Sequence, residues 1–107
     1  MTIEKRTFAE WEYPFIAQDY EDTFGVHKPE GILVGIVVET GDNLRDIMEA
    51  VNKSMDEKAD AIMIELCHVE GTFFADDVVN YASSLLECGS YIDTESYGSR
   101  MSYIKEW

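Results

Sequence analysis

The chain lacks the features of an exported or membrane-spanning protein. No apolar stretch follows the basic pair near the N-terminus, as a signal peptide would require. The longest apolar run has seven residues, from Ile32 to Val38, which is too short to cross a bilayer. The two cysteines, Cys67 and Cys88, do not form a CxxC motif. We therefore expect a cytoplasmic protein whose thiols are buried and reduced.

Basic residues are scarce. Eight Lys and Arg residues stand against 22 Asp and Glu residues, so the formal net charge is −14 over 107 residues. Each third of the chain is acidic, which predicts a single domain with an acidic surface rather than a neutral domain with an acidic tail. Such a field repels nucleic acid and anionic membranes, and neither is a predicted partner. It favours a basic protein surface, although solubility alone would also explain the charge.

Motifs for phosphate binding and nucleophilic catalysis are lacking as well. The turn after the first apolar strand holds a single glycine, Gly41, and the flanking Glu39 and Asp42 would repel a phosphate. Cys67 and His68 are neighbours on a predicted strand, so their side chains point to opposite faces and cannot pair with each other. The sequence predicts no catalytic residue and no cofactor.

The chain does contain a βαβ pattern between Gly31 and Glu70. The strand at 32–39 is apolar on both faces, which is typical of a strand covered above and below. A helix follows at 42–58, with Asp42 or Thr40 as its N-cap, and a second strand is predicted at 61–68. The predicted fold class is a small single α/β (or α+β) domain covering residues 1–107.

The C-terminal third allows two topologies. A second helix is predicted at 73–88, with Thr72 as N-cap and Gly89 after its end, and a late strand at 101–105. If residues 90–97 form a loop, the late strand is a third parallel strand. If residues 91–94 form a short strand, a turn around Gly98 makes the last two strands a hairpin.

The N-terminal 30 residues interleave aromatic and acidic side chains. Residues Lys5 to Tyr13 are predicted to form either a strand, which Pro14 would end or place at a sheet edge, or an irregular aromatic segment. Residues 15–24 are predicted to form a helical turn or an irregular loop. The aromatic side chains either cover an open face of the sheet or form a recognition surface, because Tyr and Trp are common interface anchors.

We hypothesise that acidic and aromatic side chains of the N-terminal segment bind a partner, together with carboxylates on the outer face of the first long helix. These candidate residues are Glu10, Trp11, Glu12, Tyr13, Asp19, Tyr20, Glu21, Asp22, Asp46, Glu49 and Asp56.

A divalent cation site is a second hypothesis. Parallel strands place their carboxyl ends at one edge of a sheet, where ligands usually bind. The residues that would meet there are Glu39, Asp42, His68, Glu70 and Asp76. Carboxylates with a histidine can hold a metal ion, but a chain with 22 acidic residues places several at any edge by chance.

The favoured function is a small acidic protein-interaction module that binds a basic protein surface. In size and composition the chain resembles two classes of small acidic inhibitor: phage-encoded inhibitors of host defence, and immunity proteins that block nucleases. In such inhibitors carboxylates take the place of nucleic-acid phosphates, and the partner is a nucleic-acid-binding protein or a nuclease. One alternative is an enzyme, or an enzyme subunit, that uses the acidic strand-end site with or without a cation. Another is a homodimeric structural or regulatory subunit.

Overall fold

A computed structural model describes residues 1–39, 41–68, 77, 80–82, 84–94 and 98–107, with the backbone alone for residues 67, 68, 87–94 and 98–101. The elements in chain order are β1 (Thr2–Ala9), α1 (Pro14–Phe24), β2 (Glu30–Glu39), α2 (Leu44–Asp56), β3 (Ala61–His68), β4 (Glu87–Thr94) and β5 (Gly98–Ile104). Residues 77, 80–82, 84 and 85 are also helical. Within the part of the chain described, no helix is long and apolar enough to cross a membrane.

The strands form one mixed sheet in the order β1-β2-β3-β5-β4. β2 and β3 are parallel and are joined through α2, so the predicted βαβ unit and the α/β (or α+β) class are confirmed. The other neighbouring strands are antiparallel. The second of the two C-terminal topologies is therefore correct: β4 and β5 form a hairpin, and β5 lies between β3 and β4.

One face of the sheet, here called the α2 face, is covered by α2 and by the helical residues around Ala82. Buried side chains of β2 and β3 alternate with the pleat and pack against Ile47 and Val51 of α2. Ala82 and Leu86 belong to the same cluster. Both helices predicted from the sequence thus lie on one side of the sheet, which leaves the other side to be covered by a different element.

That other side, the α1 face, is covered by the N-terminal aromatic segment. Ile16 and Tyr20 of α1 pack against Phe8, Leu33 and other buried residues of the sheet. Pro14 starts α1 at its first turn, where a missing N–H costs nothing. A left-handed Gly25 ends α1, and its N–H donates to the carbonyl of Glu21 at 2.9 Å.

Asp60 connects α1 to the sheet. Its backbone carbonyl accepts a hydrogen bond from the Tyr20 hydroxyl at 2.5 Å and another from the Lys105 N–H at 3.1 Å. Its carboxylate accepts the Ile32 N–H at 2.7 Å and lies 3.0 Å from the ammonium group of Lys28. The Tyr20 hydroxyl also lies 2.5 Å from the Lys105 carbonyl, so one proton is shared between two acceptors.

Gly31 is required beside this group because a side chain has no room there. A Cβ at this position would lie 2.8 Å from Asp60 Oδ2 and 2.8 Å from an aromatic carbon of Phe8. The absence of a side chain at Gly31 therefore allows the Asp60 carboxylate to reach the backbone of Ile32.

Several predicted boundaries were wrong at the N-terminus and around α2. The first strand covers Thr2–Ala9 rather than Lys5–Tyr13, because Pro14 begins a helix instead of ending a strand. The N-cap of α2 is Asn43 rather than Asp42, and its side chain accepts the Asp46 N–H at 2.9 Å. Thr40, the other predicted cap, lies outside the described residues.

The predicted end of the helix at 73–88 was also wrong, because the helical residues end before Glu87. The last bond of helical type joins the Leu86 N–H to the Ala82 carbonyl at 2.9 Å, and β4 begins at Glu87. Gly89, predicted to follow the helix, instead pairs with Tyr103 of β5 next to a register irregularity. Residues 87–89 are therefore part of β4, because they pair with β5 instead of continuing the helix. Thr72 and the start of the predicted helix lie outside the described residues, as do the side chains of Cys67 and Cys88.

The buried Tyr20 hydroxyl predicts a specific pH dependence. Burial, and then the negative charge of Asp60, raise the pKa of Tyr20 above its ordinary value of 10.0. Because the folded protein favours the neutral phenol, the stabilising effect is complete below pH 10 and is lost as the pH rises further. We expect Tyr20→Phe to lower the unfolding free energy by about 1–2 kcal/mol at pH 7. Above pH 10 we expect the variant to lose stability less steeply than the wild type.

Urea unfolding at a series of pH values measures both effects. The matched control is Tyr81→Phe, which removes an exposed hydroxyl bonded to Asn52 at 3.0 Å and should cost less at pH 7. Equal stability of Tyr20→Phe and wild type at pH 7 would contradict the assigned bonds.

Candidate protein-interaction surface

The turn between β1 and α1 is held in place by backbone hydrogen bonds. The Glu10 N–H donates to the Pro29 carbonyl at 2.8 Å. The N–H groups of Glu12 and Tyr13 both donate to the Ala9 carbonyl, at 3.0 and 3.1 Å. The turn is therefore fixed to the end of β1 and to the segment before β2, so a side chain at its tip is presented without an ordering cost in the backbone.

Trp11 lies at the tip of this turn and is 82% exposed. No other large hydrophobic side chain in the described ranges is as exposed, and the next are Ile3 and Trp107 at 51%. A tryptophan that is buried on binding brings a large apolar area and an N–H donor to an interface, and such residues commonly dominate binding energy. Trp11 is therefore the best candidate for an anchor residue.

Carboxylates surround Trp11 in the sequence and continue along α1. Residues 10–24 contain five acidic residues and no Lys or Arg. Asp19 is half-buried, and the other four acids are exposed. The acidic-aromatic surface is defined here as Glu10, Trp11, Glu12, Asp19, Glu21 and Asp22. Some of its acids already have partners: Glu10 lies 3.5 Å from His27 Nε2, and Asp22 accepts the side-chain amide of Gln18 at 2.8 Å.

The two tyrosines predicted to bind a partner have other positions. Tyr20 is 1% exposed and belongs to the core, so it is not available for contact. Tyr13 is half-buried, and its hydroxyl accepts a hydrogen bond from Arg6, whose guanidinium lies 5.4 Å from the ring centre. Its ring also packs edge-on against Phe15, with centroids 6.0 Å apart. Through these contacts with Arg6 and Phe15, Tyr13 stabilises the turn between β1 and α1.

The predicted residues of α2 lie on the opposite side of the sheet from the acidic-aromatic surface. Asp46, Glu49 and Asp56 are exposed, as expected for its outer face. Glu49 forms a 3.5 Å ion pair with Arg45, and Lys53 lies on the same helix. Since α1 and α2 cover opposite faces, a single flat partner surface cannot contact both sets of residues.

The strand-end residues predicted to hold a metal converge only in part. Glu39 of β2 lies opposite His68 of β3 in the sheet register, as parallel strands require. Asp42 accepts the Glu39 N–H at 2.9 Å and lies 3.0 Å from the Met1 amino group. The Glu39 amide and then this amino group lower the pKa of Asp42 below its ordinary value. The Asp42 carboxylate is therefore occupied in closing the turn.

The remaining metal candidates, Glu70 and Asp76, lie outside the described residues, as does the side chain of His68. Within the described part of the chain, no group of three or more His, Cys, Asp or Glu side chains is placed to hold a metal ion.

The sequence did not predict that Arg6 holds Tyr13 in place at the turn before α1. Its position two residues before the buried Phe8 places it on the α1 face of β1. The same alternation holds in the predicted strand, but the contact of Arg6 with Tyr13 depends on the turn after Ala9, which the pattern did not predict.

The chain matches no known protein-family model, no curated protein and no solved structure.

Because Trp11 contacts solvent and Phe8 lies in the core, the two alanine substitutions should change stability by very different amounts. Trp11→Ala should change the unfolding free energy by no more than about 0.5 kcal/mol. Phe8→Ala should lower it by about 3–5 kcal/mol, because it leaves a cavity under α1. Chemical denaturation of both variants measures the difference. A large loss for Trp11→Ala would mean that the side chain supports the fold and is not an anchor for a partner.

Proposed function

We propose that this chain is a small acidic protein-interaction module that binds a basic surface of another protein through the acidic-aromatic surface. The observation that carries the proposal is Trp11, 82% exposed on a hydrogen-bonded turn whose surroundings in the sequence, residues 10–24, carry only negative charge. This arrangement combines an apolar anchor with acceptors for Arg and Lys side chains.

Two physical terms contribute to such binding. Burial of Trp11 in a pocket of the partner supplies short-range affinity, and an anchor of this type is worth about 2 kcal/mol or more. The net charge of −14 attracts a basic surface over longer distances and speeds association. The second term falls as salt screens the charges, whereas the first does not.

The acidic-aromatic surface is a better candidate than the outer face of α2. Residues 10–24 hold no cation, whereas Arg45 and Lys53 are interspersed with the acids of α2. One of the α2 acids, Glu49, is already paired with Arg45. A basic partner therefore meets a more negative surface, and an exposed aromatic anchor, on the α1 side.

In its more specific form, the proposal is that the module inhibits a nucleic-acid-binding protein or a nuclease by occupying its basic cleft. Carboxylates on α1 would then accept the hydrogen bonds that Arg and Lys otherwise donate to phosphates. This form is supported by the charge and by the small size of the domain. It predicts that double-stranded DNA or RNA competes with the module for the same partner.

The test begins with immobilised protein and an immobilised Trp11→Ala variant, each exposed to lysate of the source cell at low and high salt. A protein held by the wild type at low salt, and lost both at high salt and on the variant, is then purified for affinity measurement. We expect Trp11→Ala to weaken its binding by about 30-fold or more. The matched control is Trp107→Ala, which removes a half-exposed tryptophan near Met55 and Leu85 on the α2 side and should leave binding unchanged.

Charge is tested by two double variants of equal net charge. Glu21→Gln with Asp22→Asn removes two carboxylates from α1, and Asp46→Asn with Glu49→Gln removes two from α2. The first pair should weaken binding and flatten its salt dependence more than the second. Equal effects of the two pairs would mean that only total charge matters. Affinity that is unchanged by Trp11→Ala and by salt would contradict the proposal itself.

A further inference from the structure

β1 is a long, regular strand at the edge of the sheet. It pairs with β2 over eight consecutive residues without a register shift, and it is the first strand in the sheet order. Its residues from Thr2 to Thr7 are all exposed. A strand edge of this length presents unpaired N–H and C=O groups that can pair with a further strand.

The charge of β1 differs from that of the rest of the surface. Lys5 and Arg6 stand against one acid, Glu4, in a chain whose net charge is −14. Glu4 has no ion-pair partner among the residues that the structure describes. The negative charge that makes two copies of the chain repel each other is therefore reduced locally at the β1 edge, and Glu4 is available for a new contact.

We infer that the β1 edges of two copies pair antiparallel about a two-fold axis at Lys5, so that two sheets continue as one. In this register Glu4 of each copy lies opposite Arg6 of the other, and Ile3 lies opposite Thr7. Each symmetric register places one pair of identical residues at the axis, but the neighbouring registers, centred on Glu4 or on Arg6, form no Glu4–Arg6 pair and are disfavoured. The strand thus has a self-complementary charge pattern in one register.

The other side chains at this edge are compatible with the pairing. Lys5 would meet Lys5 of the second copy, but each Lys5 lies 3.8 Å from Glu57, which offsets the repulsion. Ile3, 51% exposed, borders a cleft of about 240 Å³ between β1 and α2. The second copy would cover this cleft along its open edge, which removes apolar surface from water.

Pairing of two copies would also place two acidic-aromatic surfaces in one dimer, and the role of that arrangement rests on the proposed function. A two-fold axis between antiparallel edge strands runs perpendicular to the sheet, so both α1 helices lie on the same side of the dimer. β1 ends at Ala9, four residues beyond Lys5, so the two Trp11 turns follow opposite ends of the paired strands, and those ends are roughly 26 Å apart. The dimer would present two acidic-aromatic surfaces to one extended basic partner.

Sedimentation equilibrium of the untagged chain over a wide concentration range tests the pairing without any partner. We expect a monomer–dimer equilibrium in the wild type. Glu4→Arg alone and Arg6→Glu alone should each be monomeric, because each places like charges opposite each other. The double variant Glu4→Arg with Arg6→Glu restores the complementary pattern and should dimerise again.

The double variant keeps the test independent of any damage from a single substitution, and circular dichroism reports whether each variant is folded. The control for a change of charge elsewhere is Asp22→Arg, which should dimerise at least as well as wild type. A wild type that remains monomeric at all concentrations would overturn the inference. So would dimers in both single variants, or a folded double variant that stays monomeric. Failure of this test leaves binding through Trp11 unaffected, because that binding is measured with a partner.

Discussion

The fold depends on the hydrogen bonds around Asp60. This one residue joins the start of β2, the end of β5 and the helix α1, through its backbone and its carboxylate. A half-buried carboxylate is costly unless its oxygens are satisfied, and here they bond the Ile32 N–H and the Lys28 ammonium. The Tyr20 hydroxyl completes the group from the opposite side. These bonds add to the apolar packing of Ile16 and Tyr20 and to the hydrogen bonds that hold the turn between β1 and α1.

Attachment of α1 gives the sheet its second covered face and also creates the candidate surface. Ile16 and Tyr20 point into the core, so the opposite side of the same helix must carry the polar residues, and in this chain those residues are acidic. The hydrogen-bonded turn before α1 holds Trp11 clear of the core. The strong negative field that suits a basic partner also opposes self-association. At the β1 edge Lys5 and Arg6 stand against one acid, Glu4, so that opposition is reduced there.

Local periodicity was enough to predict the centre of this fold. The strand at 61–68 and the helix around Ile47 and Val51 follow from apolar patterns of period 2 and 3.6, which depend on near neighbours only. The N-terminal segment could not be predicted in this way, because a helix start at Pro14 and a strand end look alike in the sequence. The roles of Asp60 and Tyr20 depend on contacts between residues 28 to 85 positions apart. For the same reason Tyr20 was predicted to contact a partner although it is buried. The same argument, that aromatic residues among acids form a recognition surface, also selected Trp11, which is exposed.

The central claim is that Tyr20 and Asp60 make α1 an integral part of the fold rather than a helix that docks and detaches. Native-state amide hydrogen exchange tests it most directly, because it reports an opening free energy for each element. If the claim is correct, the amides of Ala17 to Glu21 will exchange with the same free energy as those of Leu33 and Ile64, since α1 leaves the sheet only when the domain unfolds. Opening of α1 at a free energy about 2 kcal/mol or more below that of the central strands would contradict it.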